Sequence, residues 1–244
     1  MGRMRRTGRI IRVAAIAAVL AAVAAAAWPR IATELAVRKF LRDPSAPLTP
    51  GETARVLRHM LTGAPSEGRQ DALVAAAVEG LARRDQPMFF MAAANAHARS
   101  GAFGTLPGAV GRAVREGRAN AGMMVDVLAG AAGAGRVDQY IDVDTVMRSS
   151  DAKLILTCVI RLRMPALLAR RGACLAMLAR DDVPTSCKRV LVTRIAHEGA
   201  GAEWFADREG LLASLPMDAD ADAAESVRRI RRQIAAATRP HADR

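Results

Sequence analysis

Apolar pairs recur at helical spacing along most of this chain. Three clear runs are Leu73/Val74 with Ala77/Val78, Met123/Met124 with Val127/Leu128, and Leu154/Ile155 with Cys158/Val159. Residues at i, i+4 and i+8 share one side of an α-helix, so each run predicts a helix with a single buried face. This pattern restricts the chain to a fold in which many short helices cover one another.

The apolar helical faces also repeat at a regular interval. If the helices are taken in pairs, each pair a hairpin, the first helices carry equivalent apolar residues at Leu57, Phe89, Met124, Ile155 and Leu191, which are 32, 35, 31 and 36 residues apart. The second helices carry them at Val78, Val114, Val146, Leu178 and Leu212, which are 36, 32, 32 and 34 residues apart. A lone helix hairpin cannot bury its apolar face, so such hairpins stack on their neighbours. The sequence therefore predicts an all-α body, an α-solenoid of about five stacked helix hairpins.

Composition supports helices and argues against a nucleic-acid partner. Hydrophobic residues make up 51% of the chain and aromatic residues only 3%, a balance that favours helix over sheet. The formal charge is +12, but five arginines precede residue 13 and further arginines cluster near the C-terminus. Few aromatic rings are available to stack on bases. We therefore expect no nucleic-acid partner.

The N-terminal segment predicts a membrane helix. Residues 13–28 carry no charge, and Ile10 and Ile11 extend this apolar stretch. At about 1.5 Å per residue it nearly spans a hydrocarbon core of about 30 Å, and Trp28 suits the far interface. The leading arginines should stay cytoplasmic, which would export the body to the periplasm or another extracytoplasmic space. The alternative is a cleaved secretory signal ending near Ala27, which would release a secreted body.

Proline-rich and acidic stretches mark the expected domain boundaries. We expect a signal anchor over 1–28, a juxtamembrane helix and proline-rich linker over 29–50, helical repeats over 51–216, and a capping helix with a basic tail over 217–244. In the last segment Asp222 and Glu225 are predicted to form a capping box. The apolar stripe of that helix is Val227, Ile230 and Ile234.

The three cysteines, Cys158, Cys174 and Cys187, leave two redox states open. One disulfide with one free thiol is possible by number, and three reduced, buried thiols that pack as small hydrophobes form the alternative. Neither state implies catalysis.

Parts of the body resemble tetratricopeptide repeats. Gly68 to Leu73 and Gly135 to Ile141 look like that family's glycine turn followed by a second helix, and Gly101-Ala102-Phe103 fits the same turn. Asp85-Gln86-Pro87 fits the proline between repeats. The fourth unit, Arg161 to Arg171, lacks the glycine turn, and the family's large aromatic positions are mostly small here. A HEAT-like stack is the alternative helical repeat.

The resemblance implies a protein-binding groove lined by first helices. Its candidate contact residues are Arg55, Arg58, His59, Asn95, Arg99, Arg161 and Arg194. Such a basic groove would favour a protein partner with an acidic segment. The expected function is a membrane-anchored adaptor or scaffold that binds another envelope or secreted protein, in complex assembly, secretion or a chaperone-like role.

The sequence contains no motif that predicts catalysis, a cofactor or a metal. His197-Glu198 begins like a metalloprotease helix, but Gly201 stands where the second histidine ligand is needed. The rival hypothesis is an enzyme, or the helical accessory domain of an enzyme, acting on cell-envelope material. Glu198 and Glu203 would then transfer protons. We expect no catalytic residues, no cofactor and no metal.

Overall fold

The computed structural model describes residues 25–62, 66–84, 86–132, 134–215, 217 and 220–238. Within these ranges the chain forms fourteen α-helices and one short 3-10 helix, and no β-strand. The predicted all-α class is therefore confirmed for the described part of the chain. The chain divides into two compact units, residues 1–66 and 67–244.

The first unit contains two helices, α1 (25–42) and α2 (Pro50–Thr62). The Lys39 ammonium binds the Glu52 carboxylate at 2.9 Å and so joins the two helices. Glu52 also accepts the Thr49 backbone N–H at 2.8 Å, and the Thr49 hydroxyl accepts the Glu52 N–H. This reciprocal pair is a capping box that starts α2. The Thr49 N–H, followed by Lys39, holds the pKa of Glu52 below its usual value.

Most of the predicted anchor, residues 1–24, lies outside the described residues. Among the helices that the structure describes, none is both long and apolar enough to cross a bilayer.

The second unit contains the remaining helices. They are α3 (Glu67–Arg84), α4 (Pro87–Ser100), α5 (Leu106–Arg115), α6 (Ala121–Ala132), the 3-10 helix (Ala134–Gln139), α7 (Val143–Arg148), α8 (Ala152–Arg161), α9 (Met164–Leu168), α10 (Arg171–Ala179), α11 (Thr185–His197), α12 (Gly201–Phe205), α13 (Glu209–Ser214) and α14 (Ala221–Thr238).

The helices of the second unit pack in two rows. In the first row α4 contacts α6, α6 contacts α8, α8 contacts α11 and α11 contacts α14. In the second row α3 contacts α5, α5 contacts α7 and α7 contacts α10. Contacts of α3 with α4 and of α7 with α8 join the rows. This alternation is compatible with a helical repeat.

Glycines allow the backbones of neighbouring elements to approach closely at three places in the second unit. A Cβ added at Gly111 of α5 would lie 2.4 Å from the backbone oxygen of Tyr140. At Gly122 of α6 it would lie 3.0 Å from the backbone of Leu154 in α8. At Gly201 of α12 it would lie 3.0 Å from the Cα of Ile230 in α14. Glycine is therefore required where the backbones of neighbouring elements meet.

The structure corrects the predicted cap of the last helix. The cap of α14 is Asp220, whose carboxylate accepts the N–H groups of Asp222 and Ala223, both at 3.0 Å. The prediction that Asp222 and Glu225 form the capping box is therefore wrong. The buried stripe of Val227, Ile230 and Ile234 is confirmed.

The predicted glycine turns have mixed outcomes. Gly101 ends α4 with a left-handed φ of 72°, as a helix-terminating glycine should. Gly68 instead lies inside the first turn of α3, and Gly135 lies in the 3-10 helix. Where the fourth unit lacks the turn, α9 is inserted between α8 and α10.

Candidate protein-binding surface

Several polar contacts of the second unit join residues that are 33 to 35 positions apart in the sequence. Arg161 of α8 binds Asp126 of α6, 35 residues earlier, at 2.8 Å. Ser226 of α14 contacts Thr193 of α11, 33 residues earlier, at 3.4 Å. In the second row Arg180 donates to the backbone oxygen of Met147, 33 residues earlier, at 2.8 Å. Side chains about one sequence period apart are thus neighbours in the structure.

The sequence predicts that Arg194 lines the groove. In the structure its guanidinium binds groups of the protein itself. It donates to the backbone oxygens of Val159 and of Leu162, the latter at 2.9 Å, and pairs with Glu198 at 3.2 Å. Val159 lies in the last turn of α8, whose terminal carbonyls have no partner within the helix. Arg194 therefore caps α8 from the neighbouring helix α11.

Two further arginines bind backbone oxygens in the same way. Arg171 at the start of α10 donates to the backbone oxygen of Trp204 at 2.8 and 3.0 Å. Arg180 at the end of α10 donates to that of Met147. Arginine presents several N–H donors on a planar group, so one side chain can satisfy more than one carbonyl. No sequence motif marks these arginines for this role.

Arg161 is also engaged, but at the surface. Its pairing with Asp126 leaves about a third of its side chain and half of that of Asp126 exposed. An exposed pair of this kind contributes at most about 1 kcal/mol. Arg161 therefore remains able to exchange Asp126 for an acidic group of a partner.

The predicted contact residues of α4 are both exposed. Asn95 and Arg99 lie on the same side of the helix as Met88 and Met91, because they follow at helical spacing. Met88 and Met91 are 45% and 46% exposed. Arg99 forms no hydrogen bond or ion pair with any described residue. We call these four residues the α4 face.

Sequence reasoning missed the two methionines. They flank Phe89 and Phe90, which are buried. Because all four residues are apolar, the residue types alone do not show which of them face solvent. The signal was the spacing of Met88, Met91 and Asn95, which sets them apart from the phenylalanines. Ile160 of α8 is a third exposed apolar residue that the prediction did not include.

Arg55, Arg58 and His59 lie on α2, in the first unit. Arg58 is exposed, and Arg55 and His59 are half-buried. The predicted grouping of these residues with those of α4, α8 and α11 stays a prediction.

The three cysteines are free and buried in the structure, as expected of thiols that pack as small hydrophobes. Burial raises the pKa of Cys158 and of Cys174 to about 12, and it also raises that of Cys187. A thiol with such a pKa carries almost no thiolate at neutral pH and is a poor nucleophile. These side chains therefore act as core residues.

A depression of about 480 Å³ lies between α11 and α14. It is lined by Thr193, Ala196, His197, Asp222, Glu225, Ser226, Arg229 and Arg232. Glu225 binds Arg228 at 2.8 Å and Arg232 at 2.5 Å, and these arginines lower its pKa. Glu225 is therefore ionised at neutral pH and serves as an ion-pair partner rather than a proton donor.

The two acids of the enzyme hypothesis, Glu198 and Glu203, are both exposed. Glu198 pairs with Arg194, and Glu203 is exposed on α12. Among the described residues, no group of three or more His, Cys, Asp or Glu side chains is arranged to hold a metal ion.

Comparisons with family models, with curated proteins and with solved structures gave no match.

Proposed function

We propose that this chain is a helical-repeat adaptor, anchored to a membrane by its N-terminal apolar segment, that holds another envelope or secreted protein. In this proposal the body is a tetratricopeptide-like or HEAT-like α-solenoid of about five hairpins. The order of the helices in two rows supports the repeat. The arginine cluster before residue 13 supports export of the body.

The observation that carries the binding proposal is the α4 face. Two methionines, each nearly half exposed, adjoin Asn95 and an arginine with no partner among the described residues. Methionine is flexible and polarisable, so it adapts to the shape of a partner. Arg99 adds a charge that attracts a carboxylate. The face therefore suits a polypeptide that presents apolar side chains beside an acidic one.

The repeat would extend this face along the first row. Met91, Asp126, Ile160 and Thr193 are separated by 35, 34 and 33 residues, close to the spacing of the polar contacts. If the repeat holds, Met91, Asp126 and Thr193 occupy equivalent positions on α4, α6 and α11, two residues after members of the first-helix series, and Ile160 lies about one turn beyond the equivalent position on α8. The predicted contact residue Arg161 adjoins Ile160 in this series. Stacked repeats generally bind partners along one extended surface.

Charge reversal tests the proposal with a matched control. Arg99→Glu changes the first row, and Arg115→Glu changes an equally exposed arginine of α5 in the second row, again with no described partner. The full chain and both variants would be used to capture proteins from solubilised membranes, with bound proteins identified by mass spectrometry. We expect Arg99→Glu to reduce recovery of one specific protein and Arg115→Glu to leave it unchanged.

Salt provides a second measurement. Exposed charges are screened beyond about 8 Å at physiological ionic strength, so added salt should weaken capture by the unmodified chain more than by Arg99→Glu. Circular dichroism would verify that both variants keep their helices. Equal recovery with both variants would contradict a binding surface on the first row.

A further inference from the structure

Helix α1 exposes an apolar stripe. Trp28, Ile31 and Leu35 are 62%, 48% and 57% exposed, although they are large apolar side chains. Their spacing of three and four residues places them on one side of the helix. Ala36, Val37 and Phe40 on other sides of α1 are buried. The stripe is therefore an additional apolar surface, separate from the buried side of the helix.

Basic side chains continue the same side of α1 towards its C-terminus. Arg38 follows Leu35 by three residues, and Lys39 and Arg42 follow it by four and seven. These three side chains, with Asp43 and Ala46, line a depression of about 450 Å³. One side of α1 thus carries an apolar half followed by a basic half, over about 21 Å from residue 28 to residue 42.

The charges of this depression are only partly neutralised. Arg38 binds Glu34 through Nε at 2.7 Å, and Lys39 binds Glu52 at 2.9 Å. Arg42 forms no ion pair with a described residue. The Arg42 guanidinium and the terminal nitrogens of Arg38 are therefore the donors available to an anion.

We propose that this side of α1 rests on an anionic lipid bilayer. Trp28, Ile31 and Leu35 lie at the boundary between headgroups and acyl chains, and Arg38 and Arg42 hold phospholipid phosphate. Tryptophan and aliphatic side chains beside basic ones are the composition of helices that bind at this boundary. The inference rests on the proposed anchoring, because the charge-free run over 13–28 includes the first four residues of α1 and would hold Trp28 at the interface, from which α1 runs along the bilayer surface.

The buried state of the native cysteines makes the test specific. The full chain would be labelled with a fluorophore at one introduced cysteine, in the variants Leu35→Cys and Arg30→Cys. Arg30 is exposed but lies well away from the stripe around the helix at about 100° per residue, so it is the control for Leu35. Each protein would be reconstituted in vesicles of phosphatidylcholine alone or with phosphatidylglycerol.

We expect a lipid-borne quencher to quench the label at position 35 and aqueous iodide to quench it severalfold less than the label at position 30. With phosphatidylglycerol present, the label at position 35 should be protected from iodide more strongly than with phosphatidylcholine alone, because Arg38 and Arg42 are both intact in this variant. Adding Arg38→Gln to the Leu35→Cys protein should remove part of the difference between the two vesicle types. Each basic residue near an anionic surface changes binding by about fivefold.

Flotation separates the failure of this inference from the failure of anchoring. If the protein floats with the vesicles but position 35 is as open to iodide as position 30, the stripe faces water and the inference is wrong. The same conclusion follows if position 35 is protected from iodide but chemical cross-linking shows that a second copy or another protein covers it. If the protein does not float, the anchoring itself is refuted, and the inference fails with it.

Discussion

Replacing Arg194 by methionine should destabilise the second unit strongly. The substitution keeps most of the aliphatic stem but removes the donors to the backbone oxygens of Val159 and Leu162. A hydrogen bond to a charged group contributes about 1.5–3 kcal/mol. Because about a quarter of the Arg194 side chain is exposed, we take the lower part of that range for each of the two bonds and expect a loss of about 3–4 kcal/mol. The exposed pair with Glu198 adds little.

Arg99→Met is the matched control, because Arg99 is an exposed arginine with no described partner. Such a surface change should alter stability by less than about 0.5 kcal/mol. Urea unfolding of the full chain in mild detergent would be followed by the fluorescence of Trp204, which is completely buried. Trp28→Phe in all proteins would remove the other tryptophan signal.

The expected result is a lower urea midpoint for Arg194→Met, with an unchanged slope of free energy against urea. Midpoints equal to that of Arg99→Met would refute the capping role. If Arg194→Met instead kept its stability and lost partner capture, the sequence-based prediction of a groove contact would be the correct one.

Two further predictions concern close packing and the buried thiols. Gly111→Ala should destabilise the fold because its Cβ would meet the Tyr140 oxygen, whereas Gly108→Ala, with its nearest neighbour 4.0 Å away, should stabilise α5 by about 0.5–1 kcal/mol. Thermal unfolding measures both, and equal shifts would contradict the contact. Cys158 and Cys174 should resist alkylation until the chain unfolds, and rapid native labelling would contradict their burial. Because unfolded thiols release protons from about pH 9 while the folded pKa is about 12, the free energy of unfolding should fall as pH rises between these values.

The repeat of apolar faces was predictable because buried positions recur at regular intervals in the sequence. Of the five apolar first-helix positions, Phe89, Met124, Ile155 and Leu191 are buried in the first row, whereas Leu57 of α2 is half-buried. The second-helix positions, from Val78 to Leu212, are likewise buried. Only an apolar side chain is stable there, so the residue types record the facing of each helix.

Helix caps were less predictable because several residues compete for one role. Asp218, Asp220 and Asp222 alternate before α14, and any of them has the chemistry of a cap. The choice of Asp220 depends on where the backbone enters the helix. By contrast, Thr49 and Glu52 have the spacing of a capping box, and the structure uses it to start α2.

The roles of the arginines could not be predicted, because the acceptors of several are backbone oxygens, which every residue possesses. Arg194 and Arg99 look alike in sequence, and both lie on helices of the first row, α11 and α4. The first is held by carbonyls of the neighbouring helix, whereas the second has no described partner. Only an arginine whose donors are free, or held by an exposed acid as in Arg161, has hydrogen bonds to offer a partner at small cost. The proposed surface therefore depends on Arg99, Arg161 and the exposed methionines rather than on the total positive charge of the chain.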